Sequence, residues 1–142
     1  MEKKATAVWL GSLKDGKGII STESGALSKA PYGFNTRFEG VAGTNPEELI
    51  GAAHAGCFSM ALSVQLGNAS LTADRIDTTA TVSFEKLEQG WTITAVHLDV
   101  SADVPGTDQA TFEKIANEAK IGCPISRLLN TKITMKATLL EE

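Results

Sequence analysis

Residues 44–67 read TNPEELIGAAHAGCFSMALSVQLG, and the fold turns on whether this run is one helix. Its start is marked three times over: Asn45 suits the N-cap, Pro46 the first helical position, and Glu48, three residues after the cap, completes a capping box. Leu49, Ala52, Ala53, Gly56, Cys57, Met60, Ala61 and Val64 then recur at helical spacing and predict one buried apolar stripe that Gly67 ends. Gly51, Ala52, Ala53, Ala55 and Gly56 make the stripe narrow, so another backbone or a ligand can approach it closely. Cys57 lies in its middle, either as core filling or as a reactive thiol.

Working outward, residues 4–11 (KATAVWLG) and 18–23 (GIISTE) read as short strands around the turn KDGKG, and YGFNTRFEG adds a third extended segment from Phe34 to Phe38. After the helix, Ile76, Thr78, Ala80, Val82 and Phe84 alternate, as do Trp91 and Ile93, then Val96, Leu98, Val100, Ala102 and Val104. These predict a hairpin around EQG, with a bulge where the phase breaks between Ile93 and Val96. Residues 107–121 read as an amphipathic helix with Phe112, Ile115 and Ala119 inward, and PISRLLN as a shorter helix. Ile133, Met135, Ala137 and Leu139 form a last strand. The class is α+β: an N-terminal β-meander, a long central helix, a β-hairpin, a helix pair and a final strand, read as one domain over residues 1–142.

The bulk properties exclude several classes. At 142 residues the chain is long enough to bury a core without a staple, and its 42% hydrophobic and 21% charged content is ordinary for a globular protein. Thirteen basic against seventeen acidic residues leave a net charge of -4, which invites neither nucleic acid nor an anionic membrane. No uninterrupted apolar run suggests a membrane span, and the expectation is a cytoplasmic protein. Two cysteines are too few for a secreted disulfide framework and read as reduced thiols, inert or redox-active.

Cys123 in KIGCPISRLL precedes Pro124, which disfavours the helical region for it and predicts an N-cap position. A sulfur there faces unpaired backbone N–H groups, which lower a thiol pKa, so local physics makes Cys123 the more acidic thiol. Cys57, in mid-helix, needs a nearby cation to ionise. His54, one turn earlier, is a candidate base or a structural histidine. Arg37 in FNTRFEG is the candidate cation, sent by strand alternation to the face opposite Phe34, Thr36 and Phe38. Glu48 has its capping role, which leaves Glu47 free for another. Glu47 precedes Cys57 by about 15 Å of regular helix, so an arginine, an offset helix or a partner subunit must bridge the two.

The segments STESG, PYGFNTRFEG, GTNPEELIGAAHAGCFSMALS, IDTTATVS, VPG and GCPIS, in this order along almost the whole chain, resemble the OsmC (osmotically inducible protein C) and organic hydroperoxide resistance family, and its OsmC branch in particular. The resemblance implies an intertwined homodimer with its two sites at the subunit interface. It also implies a thiol peroxidase that reduces organic hydroperoxides to alcohols without metal or haem. Carried over residue by residue, Cys57 matches the peroxidatic cysteine, Cys123 the resolving one, Arg37 the active-site arginine and Glu47 the carboxylate that orients it. The organic hydroperoxide resistance branch takes its arginine from the first strand turn, where this chain has Lys14 and Lys17. A Cys57–Cys123 disulfide would then be reopened by an external dithiol, of lipoyl type by resemblance. Phe34, Phe38, Phe58 and Met60 with the small residues beside Cys57 are expected to line an apolar pocket. Two other readings are a hydrophobic small-molecule binding dimer with structural cysteines, and a metal site from Cys57, Cys123 and His54, which lacks a close ligand pair such as CxxC.

Overall fold

The structure, a computed structural model, describes residues 1–141. Backbone contacts divide it into two compact units, Met1–Leu49 and the chain from Ile50 on.

The first unit is an antiparallel meander of β1 (Ala5–Leu10), β2 (Lys17–Thr22) and β3 (Ala30–Tyr32), followed by a short helix α1 (Phe34–Phe38). Gly18 pairs with both Trp9 and Tyr32, and their rings lie 5.6 Å apart across it. A side chain at Gly18 would collide with both rings. The segment expected to be extended at Phe34 to Phe38 is helical instead. Gly33 caps it in an extended conformation, its N–H donating to Thr36 Oγ1 at 2.9 Å, while the Arg37 N–H donates to the Gly33 carbonyl. The alternation of Phe34, Thr36 and Phe38 misled because Phe34 and Phe38 are also one helical turn apart, with ring centroids at 4.9 Å.

The central helix α2 (Pro46–Asn68) begins as expected, with the Glu48 N–H donating to Asn45 Oδ1 at 2.7 Å. The reciprocal arm differs: the Glu48 carboxylate accepts the Thr44 hydroxyl. Gly67 does not end the helix. Ser70, at φ 59°, closes it in a Schellman motif, with Leu71 N–H bonded to Leu66 O and Ser70 N–H to Gly67 O. The helix is long and apolar enough to cross a membrane by length and composition, contrary to the sequence expectation. One face of it is instead core, for Phe58, Leu62 and Leu66 are fully buried.

That face is not the expected stripe. Gly51, His54, Phe58, Leu62 and Leu66 point inward, whereas Ala52, Ala53, Gly56, Met60 and Val64 are exposed. Both faces are apolar, so periodicity alone selects neither, and the larger side chains win the core because they remove more area from water. Gly51 is the close-approach point, since a Cβ there would stand 3.4 Å from Val82 Cγ2. Ser59 Oγ ties the same helix to the sheet through Thr78 Oγ1 at 2.8 Å.

The second unit is built on a sheet ordered β4 (Arg75–Leu87), β5 (Gly90–Asp103), β6 (Lys132–Leu139), with β6 parallel to β5. The predicted bulge is present: Ser83 pairs with Ala95 and Phe84 with Ile93, leaving Thr94 unmatched. Helix α3 (Gln109–Gly122) is capped by Asp108 and buries Phe112, Ile115, Ala116 and Ala119. These side chains join Val96, Leu98, Val100 and Ala102 of β5, the α2 face and Cys123 in one core. A short helix α4 (Pro124–Leu128) leads into β6. The α+β class and its element order are as expected from the sequence, apart from α1.

Candidate active site

Cys123 occupies the junction of two helices. Its N–H donates to Ala119 O, closing α3, and its carbonyl accepts from the Arg127 N–H, opening α4 at Pro124. The N-cap position is as predicted, but the expected use of it is not: the Cys123 side chain makes no capping bond. Its fully buried sulfur instead faces Cys57, 3.1 Å away, with Cys123 placed to donate. Both cysteines are free thiols.

The α4 backbone serves the other sulfur. The Ile125 N–H donates to Cys57, which favours its anion. Burial nevertheless pushes the Cys57 thiol above the usual cysteine range, and the Cys123 sulfur beside it adds to that rise. A thiolate at Cys57 therefore needs a further positive group. Cys57 is half-buried while Cys123 is sealed, so Cys57 is the sulfur an outside molecule can meet.

His54, one turn before Cys57, is fully buried, and its Nε2 lies 2.7 Å from Ser126 Oγ on α4. Burial lowers its pKa and keeps the ring neutral. Its hydrogen bond goes to the serine. Ser126 was not singled out in the sequence, where only its place in GCPIS offered a signal. Among the described residues no group of three or more His, Cys, Asp or Glu side chains is arranged to hold a metal ion.

In the first unit Arg37 and Glu47 form a two-pronged pair. Arg37 Nη2 donates to Glu47 Oε1 at 2.7 Å, and Nε reaches Oε1 at 3.1 Å and Oε2 at 3.3 Å. The sequence left Glu47 free, and the structure gives it to Arg37. Asn45 Nδ2, bonded to the Thr36 carbonyl at 3.3 Å, fastens α1 to the start of α2 and so brings the pair together. The guanidinium also lies 5.3 Å from the Phe38 ring centroid, a cation–π distance. Arg37 forms one wall of a cavity of about 190 Å³ otherwise lined by Trp9, Leu13, Tyr32, Gly33, Phe34 and Phe38. The apolar pocket expected from the sequence is thus redistributed: Phe34 and Phe38 line a cavity, Phe58 is core, and Met60 is exposed.

Comparison with known proteins identifies the family. The model of the family described as OsmC-like protein matches residues 38–138. The chain is 57% identical over 135 residues to peroxiredoxin OsmC of Escherichia coli, covering 95% of this chain and 94% of that one. Among solved structures it is similar to the organic hydroperoxide resistance protein OhrB of Bacillus subtilis, at 27% identity and TM-score 0.72, covering 96% of this chain and 98% of the other. An OsmC-like protein of Vibrio cholerae, at 19% identity and TM-score 0.76, shares the fold over 96% of this chain and 99% of its own. The chain belongs to the OsmC-like protein family.

Proposed function

We propose that this protein is a cysteine-based peroxidase that reduces organic hydroperoxides to alcohols. The observation that carries the reading is the 3.1 Å approach of a sealed thiol to a half-buried one that also receives a backbone N–H. The Cys57 thiolate attacks the outer peroxide oxygen, the O–O bond breaks, and the alkoxide leaves as alcohol after taking a proton. Cys57 becomes a sulfenic acid. The Cys123 sulfur then attacks the Cys57 sulfur, the S–S bond forms as the S–O bond breaks, and hydroxide leaves as water. An external dithiol, of lipoyl type by family resemblance, returns the two electrons by thiol–disulfide exchange.

The family resemblance assigns to Arg37, of this chain or of a second copy, the positive group that Cys57 needs to stabilise its anion and polarise the leaving oxygen, and the Glu47 pair suits that role by fixing the guanidinium plane. The aromatic cavity beside Arg37 favours an alkyl or aryl hydroperoxide over hydrogen peroxide. The exposed apolar face of α2, with Met60 at 74% and Val64 at 60% exposure, supports a homodimer that covers it. A reducing, cytoplasmic setting is proposed because two cysteines are too few for a secreted disulfide framework.

The reading is tested by following cumene hydroperoxide consumption with a dithiol reductant. Wild-type protein turns over and Cys57→Ser does not; unchanged turnover in that variant ends the peroxidase reading. If neither protein consumes peroxide yet both retain an apolar ligand, the small-molecule binding dimer takes its place.

A further inference from the structure

Three neighbouring groups of the Cys123–Ser126 segment touch α2. Cys123 Sγ meets Cys57 Sγ, the Ile125 N–H meets the same sulfur, and Ser126 Oγ meets His54 Nε2. The first two contacts end on the atom that reacts. Once Cys57 carries an oxygen or a second sulfur, both must rearrange, because their geometry is that of a bare thiol. The third contact touches no reacting atom and is sealed from water at His54. It is the one contact of the three that can hold the segment in place through every oxidation state.

We propose that His54 and Ser126 are positioning residues, a pin between α2 and α4 that keeps Cys123 in register with Cys57 while the chemistry at Cys57 proceeds. The proposal rests on the thiol reading above. The pin is well suited to the task. A buried imidazole nitrogen without its partner is costly, so the bond resists opening. The neutral ring holds Ser126 without adding a charge one turn from Cys57. His54 Nδ1 is buried without a hydrogen-bond partner, which fits a tautomer with the proton on Nε2, donated to Ser126, since a bare acceptor is cheaper to bury than a lone donor. His54 lies three positions before Cys57 and Ser126 three positions after Cys123, so the pin and the sulfur pair are spaced alike on their segments.

The consequence is a high effective concentration of Cys123 at Cys57, measurable without any peroxide. Reduced protein is equilibrated in glutathione redox buffers, and the Cys57–Cys123 disulfide and the glutathione mixed disulfides are counted by alkylation and mass spectrometry. Ser126→Ala lowers the effective concentration about tenfold or more, and Ser126→Thr, which keeps the hydroxyl, restores most of it. His54→Leu, of similar bulk without the nitrogen, is the second break and reads in the same direction, with folding of each variant checked by circular dichroism. Wild-type values in both Ser126→Ala and His54→Leu overturn the pin. A wild-type protein that forms the disulfide readily in glutathione yet consumes no hydroperoxide overturns the peroxidase reading and leaves the pin intact.

Discussion

Arg37 is held by Glu47 through both Nη2, at 2.7 Å, and Nε, at 3.1 Å from the same carboxylate oxygen. The guanidinium is thereby fixed in plane as well as in place, which a lysine ammonium would not achieve. Burial, Cys123 and Ile125 are the influences on Cys57, and their balance is an elevated pKa. Alkylation of Cys57 followed against pH separates the two effects. In Arg37→Ala the rate climbs with pH to an inflection above the ordinary cysteine value of about 8.5, since only the thiolate reacts and its proton is held more tightly. Wild type inflects at lower pH. Coincident profiles would remove Arg37 from the mechanism, and Arg37→Lys is expected to restore only part of the shift.

Cys123→Ser is expected to keep the first step and lose the second. One equivalent of hydroperoxide yields one equivalent of alcohol, and excess peroxide drives Cys57 to the sulfinic acid, where turnover stops. Intact-mass spectrometry distinguishes the species. Continued turnover in this variant would mean that an outside thiol, rather than Cys123, resolves Cys57.

The exposed face of α2 makes a prediction about assembly. Met60→Lys and Val64→Lys together place two charges on an otherwise apolar surface and are expected to convert a dimer to monomer in sedimentation equilibrium. Peroxidase activity should fall with the dimer if the site is completed across the interface. A wild-type protein that sediments as a monomer at micromolar concentration would contradict the dimer outright.

His54 gives stability a pH dependence of known sign. Its folded pKa lies below its unfolded value near 6.5, so the unfolded chain binds a proton first as pH falls. Stability from this group is complete above about 6.5 and declines below it until the folded ring also protonates, with a limiting slope of about 1.4 kcal/mol per pH unit. Urea denaturation between pH 7.5 and 5.5 should show a smaller decline in His54→Gln than in wild type. Equal declines would show that the ring titrates alike in both states.

Much of the fold was legible because local chemistry and tertiary packing agree. Asn45–Pro46 starts α2, the Phe112–Ile115–Ala119 spacing defines α3, and the phase break between Ile93 and Val96 marks the bulge at which Thr94 is left unpaired. Failures occurred where two patterns coexist. Phe34–Thr36–Phe38 satisfies strand alternation while Phe34–Phe38 satisfies one helical turn, and the Gly33–Thr36 cap decides for the helix. On α2 both faces are apolar, and only a partner sheet can choose Phe58 over Met60. The thiol pair was legible as two residues but not as a distance. The assignment of the Ile125 N–H of α4 to Cys57 rather than Cys123 depends on how α2 and α4 cross, which no spacing in the sequence encodes. Ser126 escaped notice because serine in a short helix is ordinary, and its significance comes entirely from the histidine opposite.

Cys123 both closes α3 and opens α4, with its own N–H and carbonyl committed to the two helices. The peptide around it therefore has no slack. If Cys123 resolves a sulfenic acid at Cys57, as proposed, it acts from a junction bonded on both sides, with the His54–Ser126 contact alongside, so that a side-chain torsion rather than a loop search closes the last ångström. In that proposed cycle disulfide formation is a rotation against a fixed stop, and whatever yielding it requires falls on the half-buried sulfur of α2.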